Sequence, residues 1–373
     1  MSRTSRSNGR LSRLSEAPGD EREPRVPSHT FGVLAAVYHG RRDIRVQEWP
    51  SPPSPPPGWV TVAISYCGIC GTDIEEYLHG PVVIPITPHP LTGARAPLVL
   101  GHEGAGVVVA AGDGSGIEPG TRVGLENSVG CGHCAACLSG NRQLCPQLAV
   151  MGLMLDGALA ESVNVPASMC AALPADLPDE AGALAESLAV SVRAVRRAGA
   201  IRGLDVQVLG AGTIGLMTAQ VARAAGARSV TLRDLSAKRL VRAEAMGFEV
   251  AAPGPDSKRV PVVFECTGTA AGMSDSLSAT AKGGTTVVLG VHDRPREVDL
   301  LALLMDERVV LASLSHGMNE DYLPAIELLH ERKVDIEPLI TDRIPLEDAV
   351  ERGFTPLVED PEAHLKVLID CRR

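Results

Sequence analysis

Cys70, His102, Glu103 and Glu186 are the side chains in this sequence whose types could together hold a reactive metal ion. They stand in Y-C-G-I-C-G-T-D, G-H-E-G-A-G-V-V-V-A-A-G and A-E-S-L-A-V. One thiolate, one imidazole and carboxylates make a mixed zinc shell, and catalytic zinc keeps an open or exchangeable position that such a set can provide. No single member is persuasive. A lone cysteine is more often a small buried apolar residue, and a lone glutamate is more often a solvated acid. Cys67 and Cys70 are also spaced as C-x2-C, but without the thioredoxin-like setting of a redox pair.

A second set is far more local. Cys131, Cys134, Cys137 and Cys145 follow a C-x2-C-x2-C-x7-C spacing within fifteen residues. Four thiolates on so short a loop match the closed tetrahedral shell of a structural zinc site, which folds a loop and does no chemistry. A disulfide framework fits less well, because the nine cysteines are odd in number and no secretory signal is evident. An iron–sulfur cluster fits less well too, since the ferredoxin-type run ends C-x3-C-P.

A third constellation has the pattern of a nucleotide-binding turn. Residues 205–215 read DVQVLGAGTIG, an apolar strand running into Gly210-x-Gly212-x-x-Gly215 ahead of a helical run. The motif alone is weak, but strand before and helix after are the context it needs. The glycines permit a tight turn and close approach of a pyrophosphate to the helix N-terminus. Thr213 and Ile214 lie inside this loop, and Arg239 further on belongs to the same candidate site. A second strand, Ser229–Leu232, leads to Asp234, nineteen residues past Gly215. That offset suits an acid binding the adenosine ribose hydroxyls, and it disfavours a 2′-phosphate, so NAD is expected over NADP. Arg233 beside it could soften the preference, and Asp234 could instead cap the helix from Ser236.

The elements that must position these residues follow from the rest of the chain. At 373 residues there is room for two cored domains, and the apolar and charged fractions are those of an ordinary soluble protein. Aromatics make up only 3%, so the core must be built from Ala, Val, Leu and Ile. A net charge of −10 with no basic stripe argues against nucleic-acid binding. No apolar run reaches the length of a membrane span. Further strands at Pro261–Glu265, Thr285–Leu289 and Val309–Leu314 alternate with helical stretches, which implies a doubly wound parallel sheet. Only residues 253–259 separate the third strand, ending near Ala252, from the fourth. Crossing back takes roughly 20 Å, which seven extended residues just span. A helix-free crossover or a degenerate third strand is therefore expected. Residues 1–15 carry four arginines and several serines, and the first 33 residues are expected to be a disordered extension, with a transit peptide or an early start codon as the other readings.

Taken together, the chain resembles the zinc-dependent medium-chain dehydrogenase/reductase family of alcohol and polyol dehydrogenases. Gly101, His102, Glu103, Gly106 and Gly112 are similar to that family's zinc signature, and the cysteine quartet to its structural lobe. The resemblance covers roughly residues 34–373. The stretch EYLHGPVVIPITPHPLTGARAPLVLGHE is similar to the 2,3-butanediol dehydrogenase branch. The resemblance implies an α/β fold, with a GroES-like, β-rich catalytic domain over 34–187 and 317–373 and a Rossmann NAD-binding domain over 188–316. It implies two zinc ions per chain and NAD. Cys70, His102 and Glu103 would ligate catalytic zinc, with Glu186 in the fourth position directly or through water. Thr72 would hydrogen-bond the substrate alcohol. The implied activity is reversible oxidation of a secondary alcohol (a vicinal diol, polyol or cyclitol) to its ketone. A threonine 3-dehydrogenase-like or dedicated biosynthetic enzyme is the alternative, and a catalytically weak NAD-binding relative a remote one. A cytoplasmic homodimer or homotetramer is expected.

Three positions depart from the family. Glu75 replaces a histidine that ends a proton relay, and could be a terminal base or a surface acid. Arg193 stands in place of another histidine; it could contact a cofactor phosphate, but is expected as a solvated helix residue. Ser187 replaces the proline that follows the glutamate.

Overall fold

The computed structural model describes residues 32–252 and 258–372. The extension expected over 1–33 thus lies outside the described residues as far as 31. The first strand begins at Gly32 and pairs antiparallel with Asp43–Pro50, so residues 32 and 33 already belong to the sheet.

The β-rich half is organised around the strand Trp59–Gly68. It pairs antiparallel with Glu103–Ala111 on one side and with the C-terminal strand Lys366–Asp370 on the other. Arg122–Leu125 and Cys170–Ala172 extend the first flank, and Ile340–Pro345 the second. Valine, isoleucine and alanine fill these strands, as branched side chains suit a pleated, packed surface. Register does the positioning. Gly68 lies opposite Glu103 and close to Leu368, so the chain just past Gly68 meets His102 at one sheet end. Gly68 itself has to lack a side chain, because a Cβ there would sit 2.0 Å from Glu103 Oε2.

The other half is a six-stranded parallel sheet in the order Glu249–Ala251, Ser229–Arg233, Asp205–Leu209, Val260–Glu265, Thr280–Val288, Val309–Ala312. Asp205–Leu209 sits inside the sheet and runs directly into the glycine turn, so the nucleotide loop opens at its carboxyl end. The expected third strand is present but only three residues long, at the sheet edge. The crossover from it runs through residues 253–257, which lie outside the described residues.

One helix, Asp179–Arg197, joins the halves. Acids open it and arginines close it, in accord with the helix dipole. Alanines over much of its length let it pack closely against both Glu103–Ala111 and the helix Thr213–Ala224. The buried cluster around it runs from Ala105 through Leu184 and Leu188 to Val206 and Leu216. As composition requires, this core is aliphatic, with Phe264 and Tyr322 among its few aromatics.

Candidate active site and metal centres

Cys70 is the N-cap of the helix Gly71–His79, with extended backbone. Its amide donates to Asp73 Oδ2 at 2.9 Å, which fixes the helix start. Thr72, in the first turn, places Oγ1 3.4 Å from Cys70 Sγ. Asp73 is fully buried, and its other oxygen faces His102 Nδ1 at 3.6 Å. Burial raises the Asp73 pKa. Burial opposes a charged His102, but Asp73 foremost, then Cys70 and Glu186, overcome it and hold that imidazole well above its usual pKa. A carboxylate behind the imidazole, as Asp73 stands behind His102, is the usual support for a metal-ligating histidine. The thiol, imidazole and carboxylate donors here fit zinc.

Glu103 and Glu186 are both buried but differently engaged. Both oxygens of Glu103 accept from Lys366 Nζ at 2.7 Å, and Oε1 also accepts from Ser187 Oγ at 2.5 Å. Burial would lower the Lys366 pKa, yet Glu103 foremost raises it. Glu186 Oε1 accepts from Asn127 Nδ2 at 2.6 Å and from His316 Nε2 at 3.0 Å. Burial opposes the Glu186 charge, but His316 prevails and lowers its pKa. Ser187, which departs from the family's proline, thus has a structural task in holding Glu103.

The quartet forms a tighter centre. The Sγ atoms of Cys131, Cys134, Cys137 and Cys145 all lie within 4.8 Å of one another. Among the described residues it is the only group of three or more candidate ligands so gathered. A short helical turn, Ala135–Leu138, and a 3-10 turn, Arg142–Leu144, fold the loop back on itself. This is a structural four-cysteine zinc site. The mixed set around Cys70 is more loosely arranged.

The Alcohol dehydrogenase GroES-like domain family matches residues 56–175, and the Zinc-binding dehydrogenase family matches residues 213–331. The (R,R)-butanediol dehydrogenase of Bacillus subtilis (strain 168) is 32% identical over 353 residues, covering 90% of this chain and 99% of its own. The sorbitol dehydrogenase of Bos taurus is 33% identical, covering 91% and 96%. The chain belongs to the zinc-dependent medium-chain dehydrogenase/reductase family. An X-ray structure of 2R,3R-butanediol dehydrogenase from Bacillus subtilis superposes with a TM-score of 0.84 at 32% identity, covering 91% of this chain and 99% of that one.

As a dehydrogenase of this family's butanediol and polyol branch, the protein is an NAD(P)-dependent zinc oxidoreductase acting on CH–OH donors. Its nucleotide loop has the required shape. Gly210 adopts a φ of +98°, and a Cβ on Gly215 would meet Gly210 O at 1.7 Å. Thr213 opens the helix and bonds Leu365 O at 2.9 Å, tying the loop to the C-terminal segment. Ile214 O accepts from Ser191 at 3.4 Å. Asp234 turns onto the loop, where Oδ2 accepts from Ala211 N at 2.7 Å and Oδ1 from Ser236 N at 2.8 Å. The cap of the following helix is Ser236, not Asp234. Arg233 directs its guanidinium to Ala252 O, and Arg239 lies 3.7 Å from Asp234 while donating to Pro361 O.

Two further positions complete the account. Arg193 is buried and pairs with Asp321 at 3.2 Å, correcting the expectation of a solvated residue. The reason is Asp321, itself fully buried and shared with Arg196. Glu75 is exposed on the helix that carries Thr72. Asp73, Asn127, His316 and Lys366 were not found from sequence. Asp73 stood in the C-G-T-D motif beside Thr72. Lys366 reaches Glu103 only through strand register, and His316 belongs to no motif.

Proposed function

We propose that this enzyme interconverts a secondary alcohol, of vicinal diol, polyol or cyclitol type, with its ketone using NAD. Residues 34–187 and 317–373 form the catalytic domain in this reading, and 188–316 the cofactor domain. Cys70, His102, Glu103 and Glu186 hold the catalytic zinc. Bound zinc supplies Lewis acidity toward the alcohol oxygen, and bound NAD supplies the hydride acceptor. Thr72 Oγ1 orients the substrate hydroxyl and receives its proton. Glu75, one turn along the same helix and open to solvent, passes that proton outward. Asp73 keeps His102 oriented, and Lys366 balances the charge of Glu103. The cofactor choice rests on Asp234, a carboxylate already seated on the glycine turn where a 2′-phosphate would be repelled.

The observation that carries the reading is the meeting of Cys70, Thr72 and Asp73-backed His102 at the start of one helix. A second copy of the chain covers the outer edge of the parallel sheet, giving a homodimer or a homotetramer built from it. There Leu300, Leu301, Leu304 and Met305 are all exposed beside the edge strand Val309–Ala312. Such an apolar patch beside an unpaired edge marks an interface, and a two-fold axis makes it self-complementary. Following NADH formation against a panel of diols, polyols, cyclitols and threonine tests the substrate class. Turnover of a diol, polyol or cyclitol with NAD is expected. Turnover of threonine alone, or of nothing in the panel, would contradict it.

A further inference from the structure

A chain of charged groups, buried except for the partly exposed Arg142, runs between the cysteine lobe and Glu186. His316 is fully buried between two carboxylates, with Nε2 3.0 Å from Glu186 Oε1 and Nδ1 3.6 Å from Glu126 Oε1. Glu126 is itself fully buried, and its Oε2 lies 3.6 Å from Arg142 Nη2. Ser128 donates its hydroxyl to Glu126 Oε1. Arg142 sits within the quartet loop, between Cys137 and Cys145, and also donates to Ser128 O at 3.1 Å. Asn127, the other donor to Glu186, is the neighbour of Glu126 on the segment that enters Cys131. Both donors to Glu186 Oε1 are therefore braced from the cysteine lobe. Carboxylates so enclosed are costly unless paired, so this chain holds only while each member keeps its partner.

We infer that the cysteine lobe positions Glu186 for the catalytic metal through Arg142, Glu126 and His316, so that the two zinc sites are energetically coupled. This rests on the reading of Glu186 as a ligand of the catalytic zinc. His316 is a positioning residue: it touches neither substrate nor cofactor in this scheme, and acts through Glu186. Loss of a group that orients a metal ligand typically weakens the metal about 10–100-fold. Arg142 stands one step further away and is partly exposed, so its loss should act on the same zinc by a smaller factor.

The test is competition of the zinc-loaded protein against a chromogenic chelator. Wild type, His316→Ala, His316→Gln and Arg142→Met are compared, with thermal unfolding recorded alongside. Cys70→Ser identifies which affinity belongs to the quartet. The wild type should hold two zinc ions per chain. His316→Ala should weaken the non-quartet zinc by about 10–100-fold, and His316→Gln, whose amide can still donate to Glu186, should restore most of it. Arg142→Met should weaken that same zinc severalfold and leave the quartet zinc in place. If His316→Ala lowers thermal stability but leaves both affinities at their wild-type values, His316 is merely structural and the inference fails. If Arg142→Met leaves the catalytic zinc unmoved, there is no coupling to the lobe. Should His316→Ala not fold, the His316→Gln and Arg142→Met arms still decide. A wild type with a single zinc would instead overturn the reading of the catalytic site itself.

Discussion

The cysteine lobe and the proposed catalytic site around Cys70 gather their side chains in opposite ways. The lobe draws all its thiols from fifteen consecutive residues, and two short turns suffice to bring them within 4.8 Å. The other site draws on Cys70, His102, Glu103 and Glu186, with Lys366 and His316 as partners of the two glutamates, and these meet only because strands and a long helix are registered against one another. Closing a short loop costs little chain entropy, so the lobe can be specified by spacing alone. A dispersed site needs the whole fold to be in place. In return its donors can be unequal. Glu103 is committed to Lys366, Glu186 to His316 and Asn127, and Cys70 has Thr72 and His102 near its sulfur. Those differences separate a site that can do chemistry from one that only holds a loop.

The contrast is sharpest in its consequences for turnover. Replacing Cys70 with Ser, or His102 with Ala, should lower kcat/KM by three orders of magnitude or more. Removing the Lewis acid loses several kcal/mol of transition-state stabilisation, each 1.36 kcal/mol being about tenfold. Fold and NAD binding should persist. Steady-state NADH formation measures this, and near-normal turnover of Cys70→Ser would erase the distinction between the two centres. A smaller effect is expected in the parallel sheet. Asp234→Gly removes the carboxylate from the glycine turn, and should weaken NAD about tenfold or more while admitting NADP. Titration with both cofactors decides it, and an unchanged preference would move the selectivity determinant away from Asp234.

Legibility followed the same division. The quartet, the glycine turn and the His102–Glu103 pair could be read because their chemistry is carried by residues close in sequence. The parallel sheet was readable from alternating strands and helices, down to a degenerate third strand only three residues long. Apart from Asp73, which stands beside Thr72 in the C-G-T-D motif, what escaped was non-local. Lys366 lies 263 residues from Glu103, and His316 lies 130 from Glu186. Neither stands in a pattern, since a buried partner is chosen by register and helix packing. Arg193 misled for the same reason. Its solvated appearance on an isolated helix is reversed by Asp321, which arrives 128 residues later.

The number of zinc ions per chain distinguishes a two-centre protein from a one-centre protein most directly. Elemental analysis of the purified wild type alongside Cys70→Ser measures it without reference to any substrate. Two zinc ions per chain in the wild type and one in the variant, with the quartet's ion retained, is the predicted result. One ion in the wild type, or two in Cys70→Ser, would contradict the assignment of a second, catalytic centre.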